Sequence, residues 1–323
     1  MATLDAVYLV PLGGALGDPV PLEELAGVDS EQVRALRALG YESSRVAGED
    51  AVDLCHRAIR SRADSVFAEK DVDVLIHCIG ADTVEAGGHD LSWLLRTHDL
   101  APGRIFGITP RHCASFLMQI DLSVALVTGG AARSALNLVA GRADGDPPRL
   151  RGVEHLQSDG AYGFLVTTGP GAGLRYRVLA HRVTYEHPAD QLPGEGRLEG
   201  HRRSNLKAVH LRRLAQDALA EAGLRGDQIA HFVVQNLGVA RMRGLAELCG
   251  VPADATWLGS LSTNGHVIAA DSLLNLDDAS RRGGMAEDAA VMVIGTSRTA
   301  MGVLILRRTA AVADEVSGRG GMR

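Results

Sequence analysis

The chain has 323 residues, 46% of them apolar and 22% charged, with a formal net charge of −6. That length and balance fit one large or two fused folded domains and exclude general disorder. The charge is acidic overall with no concentrated basic stripe, which disfavours a nucleic-acid partner. The apolar runs stop short of a membrane span and Met1-Ala2-Thr3-Leu4-Asp5 carries no signal pattern, so a cytoplasmic protein is expected.

Apolar β-type runs alternate with longer helical patterns from end to end. Ala6–Val10 reads as a strand, and Asp29–Leu39 as a helix capped by Asp29 or Ser30 and stopped by Gly40. Asp50–Ala68 is a second helix, Val72–Ile79 a buried strand, Ser92–Leu100 a helix and Ile105–Ile108 a strand. Cys113 then opens a helical run, Val124–Thr128 reads as a strand, and a helix-like stretch follows Gly129-Gly130. Ala161–Thr168 closes the first half as a strand.

The second half repeats the order. Leu174–Thr184 reads as strand, Ser204–Ala222 as helix, Ile229–Gln235 as strand and Ala240–Cys249 as helix. His266 heads an Ile268–Ala279 helix, and Ala289–Ile294 and Gly302–Leu306 form a closing strand pair. The alternation argues an α/β architecture of two similar fused halves, 1–168 and 169–308, with a frayed tail at 309–323. Gly13-Gly14-Ala15-Leu16-Gly17 is too loosely spaced for a dinucleotide fingerprint.

Four widely spaced cysteines with no C-x-x-C and no clustered histidines argue against a disulfide framework and against a metal site. Cys55, Cys78 and Cys249 read as small core residues. Cys113 differs, because it stands where a strand turns into a helix. There its sulfur lies beside unpaired backbone N–H groups at the positive end of the helix dipole, which favours the nucleophilic thiolate. If the halves pack about a pseudo-twofold axis, the helix starts at Cys113 and His266 face each other and share a pocket.

With those residues in place, the chain resembles the thiolase superfamily and most closely its β-ketoacyl-ACP synthase III branch. Gly40–Asp50 looks like the family's early turn, Cys113-Ala114-Ser115-Phe116 like its nucleophile elbow, and Asp159-Gly160-Ala161-Tyr162-Gly163 like its Gly-Asp-Gly-Ala element. Phe232-Val233-Val234-Gln235-Asn236 resembles the Pro-His-Gln-Ala-Asn motif, Gly265-His266 with Ala269-Ala270 the Gly-Asn-Thr-Ser-Ala-Ala-Ser motif, and Gly295-Thr296-Ser297 the C-terminal Gly-rich loop. The resemblance implies a thiolase-like fold of two fused, pseudo-twofold-related αβαβα halves.

Two departures redirect the expected chemistry. The condensing enzymes use Cys, His and Asn, whereas here Gln235 stands at the His position and His266 at the Asn position. Gln can donate hydrogen bonds but cannot titrate near neutral pH, while His266 can act as general base toward Cys113. The exchange is similar to ketosynthase-III-like acyltransferases of polyketide and other natural-product pathways. It implies an acyl-Cys113 intermediate, an acyl-CoA or phosphopantetheinyl acyl-carrier donor, an O, N or S acceptor, and no bound cofactor or metal.

Asp271 is the candidate to orient His266, although residues five apart on a regular helix do not share a face. It reaches His266 only if the histidine precedes the first helical turn; otherwise it caps or faces solvent. Gln235, Asn236, Gly295 and Ser297 are the expected substrate-binding residues, with the Cys113 N–H and an N–H of the Gly295–Ser297 loop as oxyanion donors. The resemblance further implies a homodimer formed through Val124–Thr128, an acyl tunnel bordered by the 85–98 segment, and Arg202-Arg203 and Arg212-Arg213 either facing a carrier protein or on a solvated helix face. Three rival readings stay open at this point: a true condensing enzyme, a non-catalytic ketosynthase partner and a starter-unit gatekeeper.

Overall fold

The computed structural model describes residues 7–61, 72–79, 89–108, 113–143, 149–150, 156–169, 174–185, 197–297 and 300–309. Nine strands form one mixed sheet. In the first half these are β1 (Tyr8–Leu16), β4 (Val74–Ile79), β5 (Arg104–Gly107), β6 (Ser134–Gly141) and β7 (Gly160–Thr167), in the order β5-β4-β6-β7-β1. The second half continues with β8 (Arg175–Tyr185), β11 (Ala300–Thr309), β10 (Ala290–Thr296) and β9 (Ile229–Val233) in that order. The remaining two strands, β2 (Asp18–Pro21) and β3 (Ser43–Val46), pair antiparallel as a separate two-stranded sheet.

Read outward from the centre, the halves have one topology. They join where β1 and β8 pair antiparallel at Tyr8↔Arg177 and Leu9↔Tyr176. β8, β9, β10 and β11 stand where β1, β4, β6 and β7 stand in the first half. The counterpart of edge strand β5 is reduced to one parallel bridge, Phe232↔Thr256.

Five layers result. Helices α2 (Ala51–Arg60) and α3 (Leu91–Thr97) cover the outer face of the first half, and α1 (Ser30–Leu39), α5 (Arg197–Ala222) and α6 (Val239–Leu248) that of the second. Between the two halves of the sheet lie α4 (Ser115–Thr128) and α8 (Asp271–Arg282), the latter preceded by the single-turn α7 (Leu261–Asn264). Because Leu22–Tyr41 packs with α5 and α6, the sequence boundary at 168 is crossed in space.

The caps are local chemistry. Asp29 accepts from the Glu31 and Gln32 N–H groups while Gln32 returns a bond to the Asp29 N–H, a full capping box. Asp50 caps α2 by accepting from the Val52 and Asp53 N–H groups, and α2 ends at Arg60; the rest of the expected helix, 62–68, lies outside the described residues.

Two expected elements are exchanged in kind. Val124–Thr128 is the last turn of α4 rather than a strand, and the helix-like stretch after Gly130 is strand β6. The reason is burial. Phe116, Leu117, Gln119, Ile120, Ser123, Val124 and Val127 are all buried, and a helix packed against both halves of the sheet has no clear polar face to reveal its period. The expected dimer segment is therefore a helix end with one side turned inward: Val124 and Val127 are 3% exposed, while Ala125 is exposed. The tail at 310–323 and Glu85–Gly88 of the expected tunnel segment lie outside the described residues.

Candidate active site

The pseudo-twofold relation brings the starts of α4 and α8 together. Cys113 precedes α4 and is half-buried, whereas Cys55, Cys78 and Cys249 are buried. Burial pushes the thiols of Cys55 and Cys249 up, so neither is a nucleophile. Cys113 Sγ lies 3.0 Å from His266 Nε2, and His266 Nδ1 lies 2.5 Å from Asp271 Oδ2.

The spacing of five residues works because the chain between them is not a regular helix. Val267 leads into a 3-10 turn at Ile268–Ala270, and Asp271 opens α8. Ile268 adopts φ +46°, a strained conformation for a β-branched side chain, of the kind held in place at functional turns. The kink brings Asp271 beneath the imidazole.

The backbone of His266 is fixed as firmly as its ring. Its N–H donates to the Leu156 carbonyl at 2.7 Å, and its carbonyl accepts from the Ser158 N–H at 2.9 Å. Gly265 before it has φ +58°, and a Cβ there would lie 2.4 Å from Ser158 Oγ, so only glycine lets the strands approach this closely.

Charge completes the unit. Burial pulls the His266 imidazole toward its neutral form, but the Cys113 thiolate and the Asp271 carboxylate outweigh it, and the pKa is pushed up to about 10. The imidazolium is thus the favoured form of His266, with Asp271 holding the Nδ1–H.

The four expected substrate-binding residues divide differently. Gln235 is occupied: its Nε2 donates to the Thr296 carbonyl at 2.6 Å, and its Oε1 accepts from the Thr296 N–H at 3.1 Å. This side chain extends the β9–β10 ladder in place of backbone and braces Thr296. Asn236 is fully buried. Its N–H donates to Asp271 Oδ2 at 2.8 Å and its Nδ2 to the Gly265 carbonyl at 2.7 Å, so it holds both shoulders of the His–Asp pair.

Ser297 is also taken. Its N–H and hydroxyl both donate to the Ala300 carbonyl, closing the β10–β11 hairpin, so that N–H does not point at an oxyanion. Gly295 stays beside the nucleophile: a Cβ there would lie 2.8 Å from Phe116 Cε1 and 3.3 Å from Ala114 Cα. The hairpin reaches the start of α4 because residue 295 has no side chain.

Sequence reasoning missed the support behind Asn236. Asn275 donates to Asn236 Oδ1 and to the Val234 carbonyl, and the Tyr41 hydroxyl donates to the Asn236 carbonyl. These are lone polar residues in apolar runs, and only their burial gives them meaning. Arg111 and His112 lie outside the described residues, as do the side chains of Arg202 and Arg203. Among the described residues no His, Cys, Asp and Glu group could hold a metal ion, and no helix is long and apolar enough to cross a membrane.

No family profile matches the chain, and no curated protein matches it by sequence. Solved structures do. The acyltransferase ChlB3 superposes with a TM-score of 0.76 at 19% identity, over 94% of this chain and 98% of that one. The 3-oxoacyl-(acyl carrier protein) synthase III of Pseudomonas aeruginosa PAO1 gives 0.74 at 18%, over 95% and 100%. The chain has the thiolase-like fold of the synthase III enzymes. The enzyme of that name from Aquifex aeolicus VF5 gives 0.74 at 16%, over 93% of this chain and 99% of that one. Within the synthase III fold, Cys113 and His266 stand at the starts of the two helices of the middle layer.

Proposed function

We propose that the protein is an acyltransferase that moves an acyl group from a carrier-protein or CoA thioester through an acyl-Cys113 intermediate to an O, N or S acceptor. The observation that carries this is the single imidazole bonded to both Cys113 and Asp271. A relative in fold, ChlB3, is named an acyltransferase, which supports the same reading.

The chemistry balances with one proton. The Cys113 thiolate attacks the thioester carbonyl, the tetrahedral intermediate collapses, and the His266 imidazolium gives its Nε2 proton to the departing donor thiolate. Acylation removes the negative charge that held His266 protonated, so the buried imidazole is left neutral. It then takes a proton from the acceptor as the acceptor attacks. Collapse releases the acyl product and restores thiolate and imidazolium. The start of α4 provides backbone N–H groups for the oxyanion, the Cys113 N–H among them.

Decarboxylating condensation is disfavoured because Gln235 is bound at both ends of its amide to Thr296. The setting we infer is secondary metabolism of the polyketide or antibiotic type, with carrier protein or CoA as donor partner. We also read the protein as a homodimer. Edge strand β5, with Ile105 46% exposed, is a better site for the contact than Val124–Thr128. Malonyl thioester presented with a panel of alcohols and amines tests the reaction class: transfer with the carboxylate retained supports acyl transfer, and CO₂ release with carbon–carbon bond formation rules it out.

A further inference from the structure

We infer that the Arg149–Asp159 ion pair is a positioning device for His266, acting through the strap Leu156–Ser158; this rests on the acyl-transfer reading of the site. The strap bonds to the His266 backbone, giving it one carbonyl and one N–H. Its own placement is set by side chains away from the thiol. Arg149 donates to both oxygens of Asp159, at 2.9 and 2.8 Å, and its carbonyl accepts from the Gln157 N–H at 2.6 Å.

Asp159 takes two further bonds, from the Ala47 and Ala143 N–H groups at 2.8 Å each. Its own N–H donates to the Arg45 carbonyl at 2.9 Å, and Ser158 Oγ accepts from the Arg45 N–H at 3.0 Å. The strap is thus tied to β3 on one side and to His266 on the other, and Arg149 closes the loop behind it.

Asp159 is fully buried, and the Arg149 side chain is 20% exposed. A buried ion pair adds little net stability, since desolvation offsets the attraction; what it fixes well is geometry, and the guanidinium fork fixes it in two dimensions. The geometry at stake is the Cys113–His266 contact, where a shift of about 1 Å is enough to uncouple proton transfer. Neither Arg149 nor Asp159 touches the reacting atoms, so both are positioning residues.

The test is the pH dependence of Cys113 alkylation by iodoacetamide in the full-length protein, read by intact mass, with thermal midpoints measured alongside. The three other cysteines are buried and do not compete. Wild type should alkylate faster at pH 6 than an unassisted thiol, because His266 stands 3.0 Å from the sulfur and can take its proton. Arg149→Met should lose about tenfold or more of that rate at pH 6 and follow an unassisted thiol, rejoining wild type near pH 10, roughly as a free thiol titrates. Arg149→Lys keeps the charge and guards against loss of fold; it should fall between the two. Folded variants with the wild-type profile would overturn the inference, and so would failure of both variants to fold, which would make the pair structural only. A wild type that alkylates no faster at pH 6 than an unassisted thiol would instead overturn the reading of His266 as the base of Cys113.

Discussion

The backbone N–H of Asn236 donates at 2.8 Å to Asp271 Oδ2, the same oxygen that holds His266. One carboxylate oxygen therefore serves the imidazole and the chain end of β9 together, which ties the orientation of the base to the second-half sheet. The Asn236 side chain completes the tie through Gly265.

Asn236→Ala should cut turnover at least tenfold with a smaller effect on donor binding, since no contact to substrate is removed. It should also destabilise the fold by about 1–3 kcal/mol for each buried polar group left unpaired, the Gly265 carbonyl and the Asn275 amide. Steady-state kinetics with a thermal melt measures both effects.

Asp271→Asn keeps the volume but presents an amide to an imidazole that needs an acceptor. Turnover should fall by about 10²–10⁴-fold with Cys113 still present for slow acylation. Comparing acylation rates by quenched-flow mass analysis separates this from loss of fold.

The pH dependence of stability has a defined sign. The folded pKa of His266 is raised above the usual 6.5, to about 10, by the Cys113 thiolate and Asp271 against the opposing effect of burial. Its contribution is therefore complete below pH 6.5 and is lost as pH rises toward 10. In Cys113→Ala the thiolate is gone, and that loss should flatten. Thermal midpoints of the two proteins across this window, taken as a difference, measure it.

Gln235→Ala removes the brace on Thr296 and leaves the Thr296 N–H and carbonyl without their side-chain partner. A stability loss of about 1–3 kcal/mol is expected with no gain of decarboxylase activity. Release of CO₂ from malonyl thioester by wild type, abolished in this variant, would contradict the structural role given to Gln235.

Much of this was legible in sequence because it depends on local chemistry. Asp29 and Gly40 bound α1 through a capping box and a left-handed turn, signals carried by single residues. Cys113 and His266 were found as helix starts in corresponding halves, and the topology makes them neighbours. Three other features had no local signal. Val124–Thr128 is apolar on every side, so it fits a strand as well as a buried helix. The roles of Gln235 and Asn236 depend on Thr296, Gly265 and Asp271, which are distant in the chain. The reach of Asp271 depends on positive φ at Ile268, which its residue type does not announce.

The most direct measurement is intact mass after exposure to a panel of acyl-CoA and acyl-carrier thioesters, for wild type, Cys113→Ala and His266→Ala. An acyl adduct on wild type, absent from Cys113→Ala and slow to form or to discharge in His266→Ala, is the expected result. Its mass names the donor acyl group. No adduct on wild type with any donor, or an adduct that persists in Cys113→Ala, would contradict a Cys113 acyl-enzyme.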